Sequence, residues 1–488
     1  MNKSIFFIFL FTISISLFSQ QNKDSTNVYK KRVLESSEID FLASFYSQDG
    51  NNAAVTGGIG TEELKNIAVD ITIAIPLNDD TFFTFDGTIS DYSSASSSNL
   101  NPFSGASRDG DDDDDDDDKN KNNSSQSIIK GSPWVASTGA SQNDLWVSGV
   151  LGINHSSDDR NTVSSAHLSF ANEYDYTSYG IGAGITKLFN KKNTEIGLTA
   201  NMYLDTWRPQ YPTEIKTFVN NNGNLFTDFF EDTMILDSNG DITDKTSSNT
   251  WKPINTTLVE NKGRNTYSAS LSFSQILNKN LQISLFADVI TQKGWLSNPM
   301  QRVYFKDKAN YYIGEADDIA HYTNPNKNNG VFQLADDIER LPNNRLKTPV
   351  GMRLHYYVNE YVVFKTYYRY YFDDWGINSH TLSVELPIKI TDKFTLYPNY
   401  RFYNQTASTY FHPYEEALST SDFYTSDYDL SKFNSNQFGV GIKYTDVFVK
   451  LKLWKIGLKN ISLNYSYYSR NTGLDAYIVT FGTKFILD

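Results

Sequence analysis

The sequence predicts an all-β protein, a transmembrane antiparallel β-barrel of about sixteen strands with short turns at one end and long loops at the other. Three observations carry this expectation. The final segment 474–487 alternates, with Tyr477, Val479, Phe481, Phe485 and Leu487 on one face and Gly482 and Lys484 on the other. Such period-two alternation sends successive side chains to opposite sides of a strand, and an aromatic terminal strand suits barrel closure. Aromatic residues make up 15% of the 488 residues, with 32 Tyr and 32 Phe, as aromatic girdles require. Tight turns also alternate with connections longer than a soluble domain normally tolerates.

The start of the chain reads as a secretory signal over 1–19. A short charged head, Asn2-Lys3, precedes the apolar runs 4–11 and 13–18, which lack spanning length, and Ser19 suits the position before cleavage. An N-terminal membrane anchor is the competing reading of that stretch. A periplasmic segment is expected over 20–32, and the barrel over 33–488. Mean hydropathy of −0.46 argues against a bundle of membrane helices. With no cysteine, the lipoprotein route, disulfides, thiolate metal sites and cysteine nucleophiles are excluded. A net charge of −14 argues against nucleic acid as a partner.

Alternation, broken by Gly, Asn, Asp and Pro clusters, places strands at 33–46, 67–75, 81–90, 144–154, 163–171, 178–189, 194–206 and 266–276. Further strands fall at 281–291, 347–358, 361–373, 379–390, 394–404, 435–444, 461–470 and 474–487. In the second of these, Ile67, Val69, Ile71, Ile73 and Ile75 form the lipid row, opposed by Asp70 and Thr72. In 361–373, Val362, Phe364, Tyr368, Tyr370 and Phe372 face lipid, leaving Lys365 and Arg369 in the lumen. In 461–470, Ile461, Leu463, Tyr465 and Tyr467 oppose Ser462, Asn464, Ser466 and Arg470. Turning Lys or Arg to lipid at midplane costs about 2–4 kcal/mol each, so energy fixes the choice of face.

The connections 76–80, 190–193, 277–280, 359–360 and 391–393 are tight turns, whereas 91–143, 207–265 and 292–346 are long. Periplasmic turns and extracellular loops follow, and an even strand count leaves both termini in the periplasm of an outer-membrane protein. Outer-membrane lipid and lipopolysaccharide are then the expected surroundings.

Longer stretches carry a family likeness. Arg340-Leu341-Pro342-Asn343-Asn344-Arg345 precedes Tyr367-Tyr368-Arg369-Tyr370-Tyr371-Phe372-Asp373-Asp374-Trp375-Gly376, followed by the Tyr/Phe-rich segments 400–405, 410–414 and 424–430. With the segment 46–62 near the start, these resemble an uncharacterised outer-membrane barrel family of Bacteroidota, domain of unknown function 3570, across nearly the whole mature chain. The resemblance implies a barrel and no established reaction. It also implies company: relatives accompany small lipoproteins and flavin-attaching enzymes, which suggests redox traffic, although no cofactor motif supports it.

Two acidic features invite a cation. The run Asp111, Asp112, Asp113, Asp114, Asp115, Asp116, Asp117 and Asp118 lies in the connection 91–143, the second extracellular loop of this topology. Eight adjacent carboxylates repel one another, so a solvated segment is the plain reading and weak Ca2+ capture the functional one. Asp237, Asn239 and Asp241 alternate around Gly240 like a calcium loop, but the distal bidentate Glu and flanking helices are missing, which favours a polar turn. On neighbouring strands Arg353, Lys365, Arg369, Glu385 and Arg401 fall on lumen positions. They make either a salt-bridge ladder bracing the wall or a basic stripe that attracts anionic solutes or an acidic partner segment.

Catalysis has thin support. None of the six His residues has metal-ligand spacing, no nucleophile motif is present, and Gly57-Gly58-Ile59-Gly60-Thr61 lacks the Lys of a P-loop. The segment 447–457 fits either an interfacial stretch or an extra strand. The leading functional expectation is a pore or barrel scaffold with a loop-gated lumen. The second is the barrel component of an envelope complex that docks a lipoprotein or periplasmic partner, with electron transfer as one use. The third is a wall-mounted hydrolase.

Overall fold

A computed structural model describes residues 32–92, 144–254, 256–324 and 330–487. The expected signal segment and the acidic run at Asp111–Asp118 lie outside the described residues. Sixteen antiparallel staves close on themselves. They are β1 (Ser37–Asp49), β2 (Leu64–Pro76), β3 (Thr81–Tyr92), β4 (Asp144–Ser156), β5 (Thr162–Glu173), β6 (Tyr176–Phe189), β7 (Thr194–Trp207) and β8 (Lys262–Asn278). The ring continues through β9 (Leu281–Gly294), β10 (Asn344–Tyr357), β11 (Val363–Asp373), β12 (Asn378–Glu385), β13 (Phe394–Gln405), β14 (Phe433–Thr445), β15 (Ile456–Arg470) and β16 (Leu474–Leu487). Each stave pairs with its sequence neighbour, and β1 pairs with β16 from Ser37↔Leu487 to Asp49↔Asp475. Closure leaves no unpaired edge, which is what lets a sheet stand in hydrocarbon.

The outward faces are those the alternation selects. Ile67, Ile71 and Ile75 of β2 are exposed, as are Leu463 and Tyr465 of β15 and Tyr477 and Phe481 of β16. The inward face of β16 presents Lys484, whose Nζ reaches Glu38 Oε2 at 2.6 Å and Asp40 Oδ2 at 3.0 Å, so opposite charges brace the closing seam from inside.

Both described ends of the chain and the tight turns lie at one end of the barrel. The long connections leave the other, together with three short ones at 174–175, 374–377 and 471–473. Stave boundaries differ from the sequence expectation by a few residues, because ladder pairing continues past Gly and Asn where alternation stops. The expected strand 379–390 is interrupted: β12 ends at Glu385 and resumes only over Ile388–Lys389. Pro387 has no N–H to donate, so the ladder skips it, although its carbonyl still accepts from Val363 N at 3.1 Å. The segment 447–457 is neither a full strand nor a flat stretch. Lys452–Leu453 folds back on Ile456 and Gly457 as a small finger at the short-turn end, with Phe448 and Trp454 81% and 96% exposed.

Candidate functional site

The long loops form a folded cap with a hydrophobic core of its own. The 208–261 loop supplies helix α1 (Thr213–Asn220) and the buried Ile215, Phe230 and Trp251. From the 295–343 loop come Tyr304, Ile313, Phe332 and Leu334, packed against them. Burial of this aromatic surface drives the loops together, and Trp251 Nε1 donates to Ala335 O at 3.0 Å, satisfying the one polar atom of the indole. The 406–432 loop joins through backbone bridges Arg340↔Tyr424 and Phe305↔Ala417.

Polar groups buried in the cap tie different loops to one another. Arg302 and Glu214, 2% and 0% exposed, form a bidentate pair with Nε to Oε1 at 2.7 Å and Nη2 to Oε2 at 3.1 Å. Arg302 Nη1 also donates to Val55 O at 2.8 Å, in the 50–63 loop. Asp337, fully buried, accepts from Arg340 Nε at 2.7 Å, from Thr256 Oγ1 at 3.1 Å and from the Tyr424 hydroxyl. The Arg302–Val55 contact fixes the placement of the cap. The 50–63 loop joins β1 to β2 and the 295–343 loop joins β9 to β10, half a ring of sixteen staves away. Their contact therefore crosses the mouth of the barrel.

Burial also alters the acidity of cap carboxyls. Glu339 accepts from Asn298 N at 2.7 Å and Thr425 Oγ1 at 2.5 Å, yet burial, helped by nearby Asp427, pushes it up to about 8. Glu62 is raised to about 8 by burial and then by Asp429 and Asp427, with Arg470 opposing. Burial raises Asp336 to about 7.

Toward the short-turn end, the wall from β10 to β13 carries a basic chamber of about 480 Å³. Its residues stand on three adjacent rungs of the ladder. His355, Lys365 and Glu385 share one; Arg353, Tyr367, Ser383 and Arg401 share the next; Arg369 and Thr381 face each other on the third. Thus Arg353, Lys365, Arg369, Glu385 and Arg401, picked out by alternation, line one cavity.

Ion pairing inside it is sparse. Lys365 Nζ reaches Glu385 Oε1 at 2.9 Å, while Arg353, Arg369 and Arg401 have no carboxylate partner among the described residues. Arg353 instead lies over Phe286 and Tyr367, at 5.4 and 5.6 Å from the ring centres, and the two rings stack 5.7 Å apart at 10°. Gly351 makes that stack possible, since a Cβ there would meet the Phe286 ring at 2.4 Å. Two buried polar atoms on the third rung, Arg369 Nε and Thr381 Oγ1, have no hydrogen-bond partner among the described residues.

Sequence reading did not single out His355 and Ser383 as chamber residues, although the same alternation that placed Arg353 and Glu385 would have found them. Phe286, on the expected strand 281–291 and on the face of Ser284 and Asp288, was open to the same reading, whereas the cap had no periodic signal. Asp237, Asn239 and Asp241 sit in a cap turn where Asp237 Oδ1 accepts from Asn239 N at 2.8 Å and Asp241 N at 3.1 Å, so that carboxylate closes the turn. Among the described residues, no three His, Cys, Asp or Glu side chains are grouped to hold a metal ion.

A family model described as a protein of unknown function (DUF3570) matches residues 9–477. The chain belongs to that family. No curated protein matches it. Solved structures that match the chain include a bacterial polysaccharide outer-membrane secretin, at 8% identity and TM-score 0.41, with 95% of this chain and 100% of that one covered. The outer-membrane protein OpdK of Pseudomonas aeruginosa matches at 8% identity and TM-score 0.34, covering 92% and 99%. The toluene transporter TodX of Pseudomonas putida matches at 8% and 0.35, covering 93% and 90%.

Proposed function

We propose that this DUF3570 protein is an outer-membrane pore or barrel scaffold whose loop-end mouth is spanned by the folded cap, and that passage requires the cap to move. The observation that carries this reading is the contact across the mouth, Arg302 to Glu214 and Val55, set in a core with several aromatic side chains of zero or near-zero exposure. Barrels of sixteen strands otherwise leave an aqueous channel. Planar-bilayer recording tests it. The wild-type protein should conduct little, and replacing the cap segment 213–254 by a short Gly/Ser linker should open a steady current. A large, steady wild-type current would refute the spanning cap.

A second reading, a barrel that docks a periplasmic partner or lipoprotein, draws on the finger at the short-turn end, where Phe448 and Trp454 stand exposed. Stoichiometric co-purification of such a partner, lost on replacing both aromatics by Ser, is its test. Purification of the barrel alone from gently solubilised membrane counts against it.

A further inference from the structure

The chamber's chemistry points to its occupant. Around one cavity stand three guanidinium groups without carboxylate partners, an imidazole, and a Lys–Glu pair whose charges already cancel. A wall built for strength would alternate the signs, because an unpaired charge contributes nothing to bracing and repels its neighbours. Here Arg353 and Arg401 share one rung and Arg369 stands on the next. The positive charges are therefore gathered in one place.

A further feature favours a ligand over a solvated stripe. Arg353 lies over the Phe286–Tyr367 stack, which supports the guanidinium face and leaves its N–H edge to donate into the cavity. A guanidinium offers a planar fork that matches the oxygens of carboxylate or phosphate, and a pre-oriented fork loses little entropy on binding.

We infer that the chamber lined by Arg353, Arg369, Ser383 and Arg401 binds a small oxyanion of two or more negative charges, a phosphate or a dicarboxylate. The cavity of about 480 Å³ has the size of a small-molecule site. This deepens the capped-barrel reading and rests on it for access, which is from the short-turn end.

Calorimetric titration of the full mature barrel in detergent tests it, with inorganic phosphate and succinate as probes and chloride as the control. Saturable binding of either probe, absent for chloride, is expected, and the tighter of the two identifies the chemistry. The double variant Arg369→Gln/Arg401→Gln should weaken binding tenfold or more. Arg401→Lys, which keeps the charge and loses the fork, should weaken it severalfold, and Glu385→Gln should tighten it by freeing Lys365. Heat-dependent gel migration reports that each variant is folded. No saturable binding by the folded wild type, or binding that the double variant leaves within twofold, would overturn the inference. The conductance experiment fails separately: a barrel that binds the probe but never conducts, even without its cap, retires the pore and keeps the anion site.

Discussion

Replacing Glu214 by Ala should unlatch the cap. Both members of the Arg302–Glu214 pair are essentially inaccessible to water, and the carboxylate receives two charge-assisted hydrogen bonds. Removing it leaves a guanidinium buried among Phe332, Tyr304 and their neighbours with the Val55 carbonyl still in reach. Breaking one partner of such a pair costs about 3–5 kcal/mol, which raises the opening constant of the cap by roughly two to three and a half orders of magnitude. Hydrogen exchange resolved by peptide would show this as faster exchange in 213–254 and 299–341, with the staves unchanged. The double variant Glu214→Met/Arg302→Met supplies the control, because well-packed apolar side chains replace a buried pair at little or no cost. It should restore most of the protection. A Glu214→Ala cap that exchanges as slowly as wild type would refute the reasoning, and so would a double variant as open as the single one.

Three other perturbations follow from the same geometry. Gly351→Ala places a Cβ 2.4 Å from the Phe286 ring and 2.5 Å from the Tyr368 carbonyl, and backbone cannot yield as a side chain can. Such overpacking costs about 1–3 kcal/mol, seen as a lower temperature of heat-modified gel migration. Lys484→Met removes a cation that meets Glu38 at 2.6 Å and Asp40 at 3.0 Å on the closing seam. A loss of about 1.5–3 kcal/mol is expected, read as faster exchange confined to β1 and β16. The cap should also weaken with alkali. Glu62 and Glu339 have folded values near 8 against 4.5 when free, so the folded cap holds more protons than the open one between those limits. Its stability is fully present below about pH 4.5, falls as pH rises toward 8 and then levels off. Glu62→Gln with Glu339→Gln should make that profile shallower in exchange measurements, leaving the contribution of Asp336.

The wall was legible in the sequence because hydrocarbon imposes a rule on every residue that meets it. Ile67, Ile71 and Ile75 must point out if Asp70 and Thr72 are to point in, and a slip of one residue would reverse all of them. The same rule carried Arg353, Lys365, Arg369, Glu385 and Arg401 to a single face. What alternation lacked was depth. It says which face a residue occupies and nothing of its rung, so it left open whether these charges paired as a ladder or gathered as a cluster. Register decides that, and register follows from turn lengths such as the Pro387 interruption. The cap was illegible for a different reason. Tyr304, Phe332 and Trp251 meet across sequence distances that no local period records, and α1 is too short to announce itself. Asp237 was legible by local chemistry alone: its alternating oxygens resemble a cation loop, but the missing distal Glu favours a polar turn, and the Asp237 carboxylate accepts from the backbone of its own turn.

Cap and chamber differ in charge, and the difference bears on what can pass between them. The rim of the cap carries Glu62, Glu339, Asp427 and Asp429, with Arg470 beside Glu62 and Asp427, whereas the chamber gathers arginines. A count of residues would make the rim a strong barrier to an anion held below it. Burial changes that count, since Glu62 and Glu339 are mostly protonated at neutral pH. The barrier is thus weak near neutrality and strengthens above about pH 8, where both carboxyls ionise. If the chamber feeds a path through the cap, anion flux should fall with alkali even as the cap itself loosens. A neutral probe of similar size should pass more freely over the same range. Opposite responses from the two solutes would separate electrostatic control at the rim from mechanical opening of the cap, and parallel responses would assign control to opening alone.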